Sequence, residues 1–253
     1  MARYQLILAY DGTRLEGSQR QADKRRTAQG ELEKALRTLG WTGRSVLIAG
    51  RTDSGVHAEA QSVALDLEWA HGPEKLRAAL NAALPSDLAV RAAREVSPDF
   101  HPRFDATSRR YRYRLFCDPI RDPVREWFAW RVWPAMDGAT LNLVAPVFLG
   151  SHDFAAFGSP MTRGGSTDRT VSLCAWTESE GEWQFQVRAD AFLYRMVRRL
   201  VYVQVMVAQE RLSVEQVRQA VENQIHLPAG LAPAHGLSLV EVTYADQSKI
   251  EKS

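Results

Sequence analysis

The stretch Ser45–Glu68, SVLIAGRTDSGVHAEAQSVALDLE, decides how the first hundred residues are read. Ser45–Gly50 (SVLIAG) and Gln61–Glu68 (QSVALDLE) both read as strands, and the residues between them form a glycine-flanked connection. Upstream, Tyr4–Tyr10 (YQLILAY) reads as a strand ending in the turn Asp11-Gly12. Thr27 to Leu39 reads as a helix, with Leu32, Ala35, Leu36 and Leu39 at i, i+3, i+4 and i+7. Downstream, Pro73 opens a second helix that carries Leu76, Leu80, Ala83 and Leu84 and is closed by Pro85. Leu88–Val96 (LAVRAAREV) is a further strand. The order β-α-β-β-α-β predicts a ferredoxin-like arrangement, with helices on one face of an antiparallel sheet.

After the loop Ser97–Thr107 the pattern returns with insertions. Arg109–Cys117 and Trp127–Trp133 read as strands, and a helix is expected within Ala139–Leu149. Thr170–Thr177 and Glu182–Ala189 form a hairpin around Ser179-Glu180-Gly181. A long helix is expected from about Ala191 to Gln209, a shorter one from Ser213 to about Gln224, and a closing strand over Leu237–Tyr244. The expectation is an α+β chain of two related domains, residues 1–105 and 106–245, followed by a frayed tail at 246–253. The two halves share no convincing sequence identity, so any repeat is one of structure. Gly158–Asp168 (GSPMTRGGSTD) is polar and Gly-rich and reads as a mobile loop.

At 253 residues the chain is long enough to bury a substantial core, and 45% hydrophobic with 25% charged residues is a globular composition. No apolar run approaches the roughly 20 residues of a membrane span. The opening Met1-Ala2-Arg3-Tyr4 leads straight into a strand and does not resemble a signal peptide. Cys117 and Cys174 stand apart from any Cys or His at metal-ligand spacing, which reads as reduced thiols and a cytoplasmic address. The net charge of +2 decides little, but only five of the 32 basic residues are lysines and 27 are arginines. Arginine suits phosphates and stacks on bases, although an Arg-rich composition has other origins as well.

Three segments could carry chemistry. In the connection after Gly50, Asp53 is lifted away from both strands, with Arg51 nearby and Gly55 behind it. An oriented, partly desolvated carboxylate can serve as nucleophile or base, and an adjacent guanidinium keeps it ionised. A turn aspartate bonded to its own backbone would show the same local pattern, and His57 would equally suit a packed histidine. In the second segment, Ser108–Leu115, alternation places Arg110, Arg112 and Arg114 on one face and Tyr111, Tyr113 and Leu115 on the other. The arginine row offers phosphate contacts; the tyrosine row faces a core or a cleft where unstacked bases could lie. Eight arginines between Arg103 and Arg131, against Asp105, Asp118, Asp122 and Glu126, strengthen the basic reading. The third segment is the expected helix after Ala191. Leu193, Met196, Val197, Leu200, Val203, Gln204 and Val207 form a mostly apolar stripe; Arg195, Arg198, Arg199 and Tyr202 share the opposite side. That side reads either as a solvated charged face or as the source of an arginine directed at Asp53.

Together these segments resemble the tRNA pseudouridine synthase A family. The family's motif around its nucleophile, Gly-Arg-Thr-Asp-x-Gly-Val-His-Ala, is matched at every fixed position by residues 50–58. Tyr10-Asp11-Gly12-Thr13 with Gly17 and Gln19 matches a first motif, and Phe100-His101-Pro102-Arg103-Phe104 resembles Phe-His-Ala-Arg-Phe. Arg109–Tyr113, His152-Asp153-Phe154, Met196-Val197-Arg198, and Ala232-Pro233-Ala234 with Gly236-Leu237 match further motifs, so the resemblance spans nearly the whole chain. It implies two ferredoxin-like domains with a central RNA-binding cleft. It also implies isomerisation of uridine to pseudouridine at positions 38 to 40 of the tRNA anticodon arm, without metal or cofactor, by a homodimer. By the same resemblance, Asp53 attacks the target nucleotide at C1′ or at C6, and Tyr111 stacks on the flipped base and takes the C5 proton. Arg198 pairs with Asp53, and Arg51 assists base flipping. Arg109, Arg110, Arg112, Arg195, Arg199 and His57 are expected to contact substrate. The chain departs from the family pattern at Leu15 (usually Phe), Ser18 (Trp), Arg199 (Asn) and Tyr202 (Gly). A synthase acting on another RNA, a catalytically silent RNA-binding homologue and an unrelated ferredoxin-like RNA-binding module are the competing readings.

Overall fold

The computed structural model describes residues 1–21, 25–222 and 225–245. The frayed tail expected after Ala245 and the helix end expected near Gln224 lie outside these residues. The fold is α+β, and the described residues separate into two compact units, one within 1–108 and 239–245 and the other within 109–238.

In the first unit, β1 (Ala2–Tyr10) lies between β3 (His57–Leu67) and β4 (Leu88–Val96), antiparallel to both. The short β2 (Leu47–Ile48) and the chain's last strand, β10 (Leu237–Tyr244), both pair with β3. The order β4-β1-β3-β2 is the ferredoxin-like order that the β-α-β-β-α-β reading predicts. Along β1, Tyr4, Leu6, Leu8 and Tyr10 are buried at period two, as a strand with one face on the core requires. Helix α1 (Ala28–Thr38) is capped by the Thr27 side chain, which accepts the Gly30 N–H, and it buries Leu32, Ala35 and Leu36. Helix α2 (Gly72–Ala83) packs against α1 and β4 and buries Leu76 and Leu80. Tyr244 of β10 joins Ala64, Val96 and Phe100 in one buried cluster.

β1 begins two residues before the expected Tyr4, and the two larger departures in this unit each have a local reason. Strand β2 is two residues long, not six, because side chains bond the flanking backbone. Glu33 accepts the Val46 N–H at 3.1 Å, and Gln61 accepts the Gly50 N–H at 3.3 Å. Strand β3 begins at His57, four residues earlier than expected, because Ala58 pairs with Tyr10 across a register shift in β1.

In the second unit, β5 (Ala106–Cys117) pairs antiparallel with β9 (Glu182–Ala189), which pairs with β8 (Asp168–Ser179); β7 (Gly150–Asp153) lies beyond β8. A three-residue β6 (Trp130–Val132) runs parallel to β5. The β8–β9 hairpin turns at Glu180 (φ 53°) and Gly181 (φ 71°), the two positive φ values that match strand twist. Helix α3 (Gly138–Val144) is capped by Asp137 and packs against α4 (Met196–Ala208); α5 (Val214–Val221) carries a capping box between Ser213 and Gln216. The spatial order β5-β9-β8, with α3 and α4 as the crossing helices, repeats the first-third-second order of β1-β3-β2.

The strand expected over Trp127–Trp133 is reduced to β6, because Asp122 accepts the Val124 and Arg125 N–H groups and sets up a 3₁₀ turn at Arg125–Trp127. The long helix is also shorter than expected. Ala191–Arg195 is not helical: Asp190 accepts the Ala191 N–H, Tyr194 bridges to Ser159, and Arg195 takes a left-handed φ of 62°. From Met196 onward α4 is buried nearly all round. Its one buried amide, Gln204, accepts the Trp176 indole N–H at 2.8 Å and donates to the Leu200 carbonyl at 3.1 Å.

Candidate active site

The Asp53 connection is built on bonds to three other segments. Thr52 is the anchor. Its N–H donates to the Ser18 hydroxyl at 2.8 Å, its carbonyl accepts the Ser18 N–H at 3.1 Å, and its own hydroxyl lies 2.8 Å from the Tyr10 hydroxyl. Burial pushes the Tyr10 phenol above its ordinary pKa, so it stays protonated as a hydrogen-bonding group. Behind Thr52, the Gln61 amide donates to the Gly50 carbonyl at 2.7 Å. Ahead of it, the Ser54 hydroxyl and the Gly55 N–H both donate to the Leu15 carbonyl. The Val56 N–H closes the turn on the Asp53 carbonyl at 3.2 Å.

Two glycines make the close approach possible. Gly17 has φ +91°, and a β-carbon there would stand 2.9 Å from the Thr52 carbonyl oxygen. A β-carbon at Gly12 would stand 2.0 Å from the Val56 carbonyl oxygen. The Ser18 segment is itself tied to helix α1, whose Ala28 and Gln29 N–H groups donate to the Gly17 and Ser18 carbonyls. Asp53 therefore sits half-buried on a connection whose neighbours are fixed on both sides, with Arg51 exposed next to it. His57, by contrast, is buried; its Nδ1 accepts the Gly12 N–H at 3.0 Å and lies 3.1 Å from an Asp11 carboxylate oxygen. In this structure His57 holds the turn after β1.

In the second unit the alternation of β5 is as expected: Tyr111, Tyr113 and Leu115 are buried, and Arg110, Arg112 and Arg114 are half-buried on the other face. That face is more committed than an open phosphate-binding surface. Arg114 makes a bidentate pair with Glu182 at 2.6 and 2.7 Å, and Arg110 donates to Gln186 at 2.9 Å. Arg109 donates to the Asp190 carbonyl at 2.8 Å. The Tyr111 ring meets Phe192 edge-on at 5.1 Å. Burial raises the Tyr113 phenol well above its usual value, and its hydroxyl donates to the Pro233 carbonyl at 2.9 Å.

Arg198 lies in the first turn of α4, half-buried. Its Nε donates to the Ala232 carbonyl at 2.8 Å, and the Ala232 N–H returns a bond to the Arg198 carbonyl at 3.2 Å. Residues 232–233 thus bind both the tyrosine strand and the arginine helix. Arg195 is exposed, its guanidinium 4.7 Å from the Tyr194 ring centre. Arg199 is only 8% exposed and donates to the Gly230 carbonyl at 3.0 Å and the Leu227 carbonyl at 3.2 Å. The side expected to carry Arg195, Arg198, Arg199 and Tyr202 together is therefore not one helix face: Arg195 precedes the helix, Arg198 and Tyr202 are half-buried, and Arg199 is buried.

Residues 6–105 and 144–245 match the profile of a family described as tRNA pseudouridine synthase. The chain belongs to that family. It is 41% identical over 246 residues to the tRNA pseudouridine synthase A of Methylacidiphilum infernorum, covering 95% of each chain. It is 42% identical over 254 residues to that of Solidesulfovibrio magneticus, covering 96% of this chain and 92% of the relative. It is 38% identical over 250 residues to that of Thermus thermophilus, covering 98% of each.

Against this pseudouridine synthase background, the four departures have structural roles. Leu15 is buried, and its carbonyl receives Ser54 and Gly55. Ser18, where the family pattern has Trp, supplies the hydroxyl that anchors Thr52. Arg199 and Tyr202 act on one segment: Arg199 bonds its carbonyls, and the Tyr202 ring occupies the space a Gly230 β-carbon would need, 2.2 Å from that position. Tyr10, Ser18 and Gln61, which brace the Asp53 connection, were not expected to act on it. The only sequence signal was that Tyr10 and Ser18 fall in the first motif.

Proposed function

We propose that this pseudouridine synthase family member isomerises uridine to pseudouridine in tRNA, at positions 38 to 40 of the anticodon arm. The observation that carries the reading is the Gly50–Ala58 motif in a family member, with Asp53 half-buried on a connection fixed at Thr52, Gly50 and Leu15. A nucleophile that must meet one atom of a flipped nucleotide gains from such preorganisation.

Asp53 is the nucleophile and attacks the target nucleotide at C1′ of the ribose or C6 of the ring. The N1–C1′ bond breaks, the uracil turns, and a C5–C1′ bond forms; C5 loses its proton and N1 ends up carrying one. Reactant and product are isomers and the step consumes no oxidant or reductant; the reading invokes neither metal nor cofactor. Tyr111 stacks on the flipped base and takes the C5 proton. Arg198 pairs with Asp53 and aims it, and Arg51 fills or opens the place of the extruded nucleotide. Extrusion costs about a few kcal/mol of stacking and pairing, which Arg109, Arg110, Arg112 and Arg195 offset through phosphate contacts. His57 and Arg199 contribute by holding backbone around these groups. The enzyme acts as a homodimer in the cytoplasm; no helix among the described residues is long and apolar enough to cross a membrane.

The test is to incubate the purified chain with unmodified tRNA and map pseudouridine by chemical adduct and primer extension, beside Asp53→Asn. Product at positions 38 to 40 from the wild type and none from Asp53→Asn is expected. No product from the wild type overturns the activity, product elsewhere only overturns the target, and product from Asp53→Asn overturns the role of Asp53.

A further inference from the structure

Phe104 leaves 76% of its surface in solvent, although the turn that carries it is firmly built. Residues 101–105 precede β5. Their base is anchored by the fully buried Phe100, which packs on Tyr244 at 5.1 Å, and by the Tyr244 hydroxyl, which donates to the Pro102 carbonyl at 2.8 Å. Asp105 closes the turn: its carboxylate accepts the His101 N–H at 2.9 Å and its N–H donates to the His101 carbonyl at 3.1 Å. The His101 ring is spent inside the turn as well. Its Nδ1 accepts the Arg103 N–H at 3.1 Å and the Phe104 N–H at 3.2 Å. Burial holds His101 below the usual histidine pKa, which favours the neutral ring that this acceptor role requires.

A lone exposed apolar residue needs no explanation. This one differs in its setting. Its ring is held against the His101 ring at a centroid distance of 4.2 Å and an angle of 33°, and the Arg103 guanidinium stands 5.8 Å from the ring centre. The result is a fixed, open aromatic surface bordered by a second planar ring and a cation. Nothing in the core gains from holding a phenyl ring outward, whereas an unpaired nucleobase gains a stacking surface and its phosphate a guanidinium.

We propose that Phe104, backed by His101 and flanked by Arg103, is a stacking platform for an unpaired base of the RNA substrate, apart from the nucleotide that reacts. The inference rests on the tRNA reading above. As a binding site it acts on affinity, not on the chemical step. The test measures the dissociation constant for unmodified tRNA and the saturated single-turnover rate for the wild type, Phe104→Leu, Phe104→Tyr and Phe104→Trp, with melting temperatures alongside. Phe104→Leu keeps apolar bulk but loses the π face, and its dissociation constant is expected to rise about tenfold, within the range for loss of one base–aromatic stack. Phe104→Tyr and Phe104→Trp should stay within about twofold of wild type, and all three should keep the saturated rate and the melting temperature. Arg103→Gln should weaken binding and reduce the salt slope by about one. An active wild type whose affinity survives Phe104→Leu overturns the platform, as does an equal loss in all three Phe104 variants. A wild type that neither binds tRNA nor forms pseudouridine overturns the tRNA reading itself.

Discussion

The Ser18 hydroxyl accepts the Thr52 N–H at 2.8 Å while the Ser18 N–H donates to the Thr52 carbonyl at 3.1 Å, a two-way clamp one residue before Asp53. Both residues are buried, so water cannot replace a lost partner at low cost. Ser18→Ala should cost about 1–3 kcal/mol of stability by leaving the Thr52 N–H without its acceptor. It should also lower the single-turnover rate at saturating tRNA with little change in the dissociation constant, because aim is lost and not affinity. Ser18→Thr, which keeps the hydroxyl, should restore the rate. A lowered melting temperature with a wild-type rate would reduce the clamp to a purely structural element.

Gly17 presents the Ser18 segment to Thr52 through a φ of +91° and a 2.9 Å approach that a β-carbon would obstruct. Gly17→Ala is expected to destabilise by about 1–3 kcal/mol from backbone strain, more if the Thr52 carbonyl cannot withdraw. Urea unfolding measures this directly. Gly40, also at positive φ (85°) but with nothing near its β-carbon position, provides the control for strain without a clash.

Arg199 and Tyr202 both hold the segment that ends at Ala232 and Pro233. The Arg199 guanidinium lies 5.8 Å from the Tyr202 ring and bonds the Leu227 and Gly230 carbonyls, while the ring packs over Gly230. Arg199→Ala should cost about 1.5–3 kcal/mol, the range for buried hydrogen bonds from a charged group. A double-mutant cycle with Tyr202→Ala should give a coupling of about 0.5 kcal/mol or more. Additive losses would mean that the two residues hold the segment independently.

The pair Arg26–Asp87 joins the chain before α1 to the start of β4 with two bonds of 2.7 Å. The hydrogen bonds from Arg26 lower the Asp87 pKa below the ordinary carboxylate value. The unfolded chain then binds a proton at Asp87 more readily than the folded one, so the pair's stabilisation is present above the unfolded pKa and disappears as pH falls through the folded one. The side chains are partly exposed, so the contribution is about 1 kcal/mol or less. Asp87→Asn should therefore destabilise slightly at neutral pH and make stability less dependent on pH below about 4. An acid limb identical to wild type in a urea–pH series would refute the assignment.

Local sequence determined a good deal. Leu88–Val96 and Leu237–Tyr244 are strands at the bounds their alternation implies, and Thr27 caps α1 as a threonine before an amphipathic run should. The alternation of Tyr111 and Tyr113 with Arg110 and Arg112 survives folding, because side-chain direction in a strand has a fixed period of two. The Gly50–Ala58 motif marked the Asp53 connection without any structure. Only the tertiary structure decided the rest, since those features depend on partners distant in sequence. Helix α4 starts at Met196 because Ser159 and Asp190 hold the preceding residues in a bridge and a turn. Arg199 is buried because carbonyls at 227 and 230 receive it, where helical periodicity had placed it only on the side opposite the apolar stripe. Ser18 became a brace for Asp53 because the loop after β1 and the connection before β3 meet at Thr52. Propensity and periodicity are properties of neighbouring residues; the satisfaction of a buried polar group is a property of whatever the fold brings beside it.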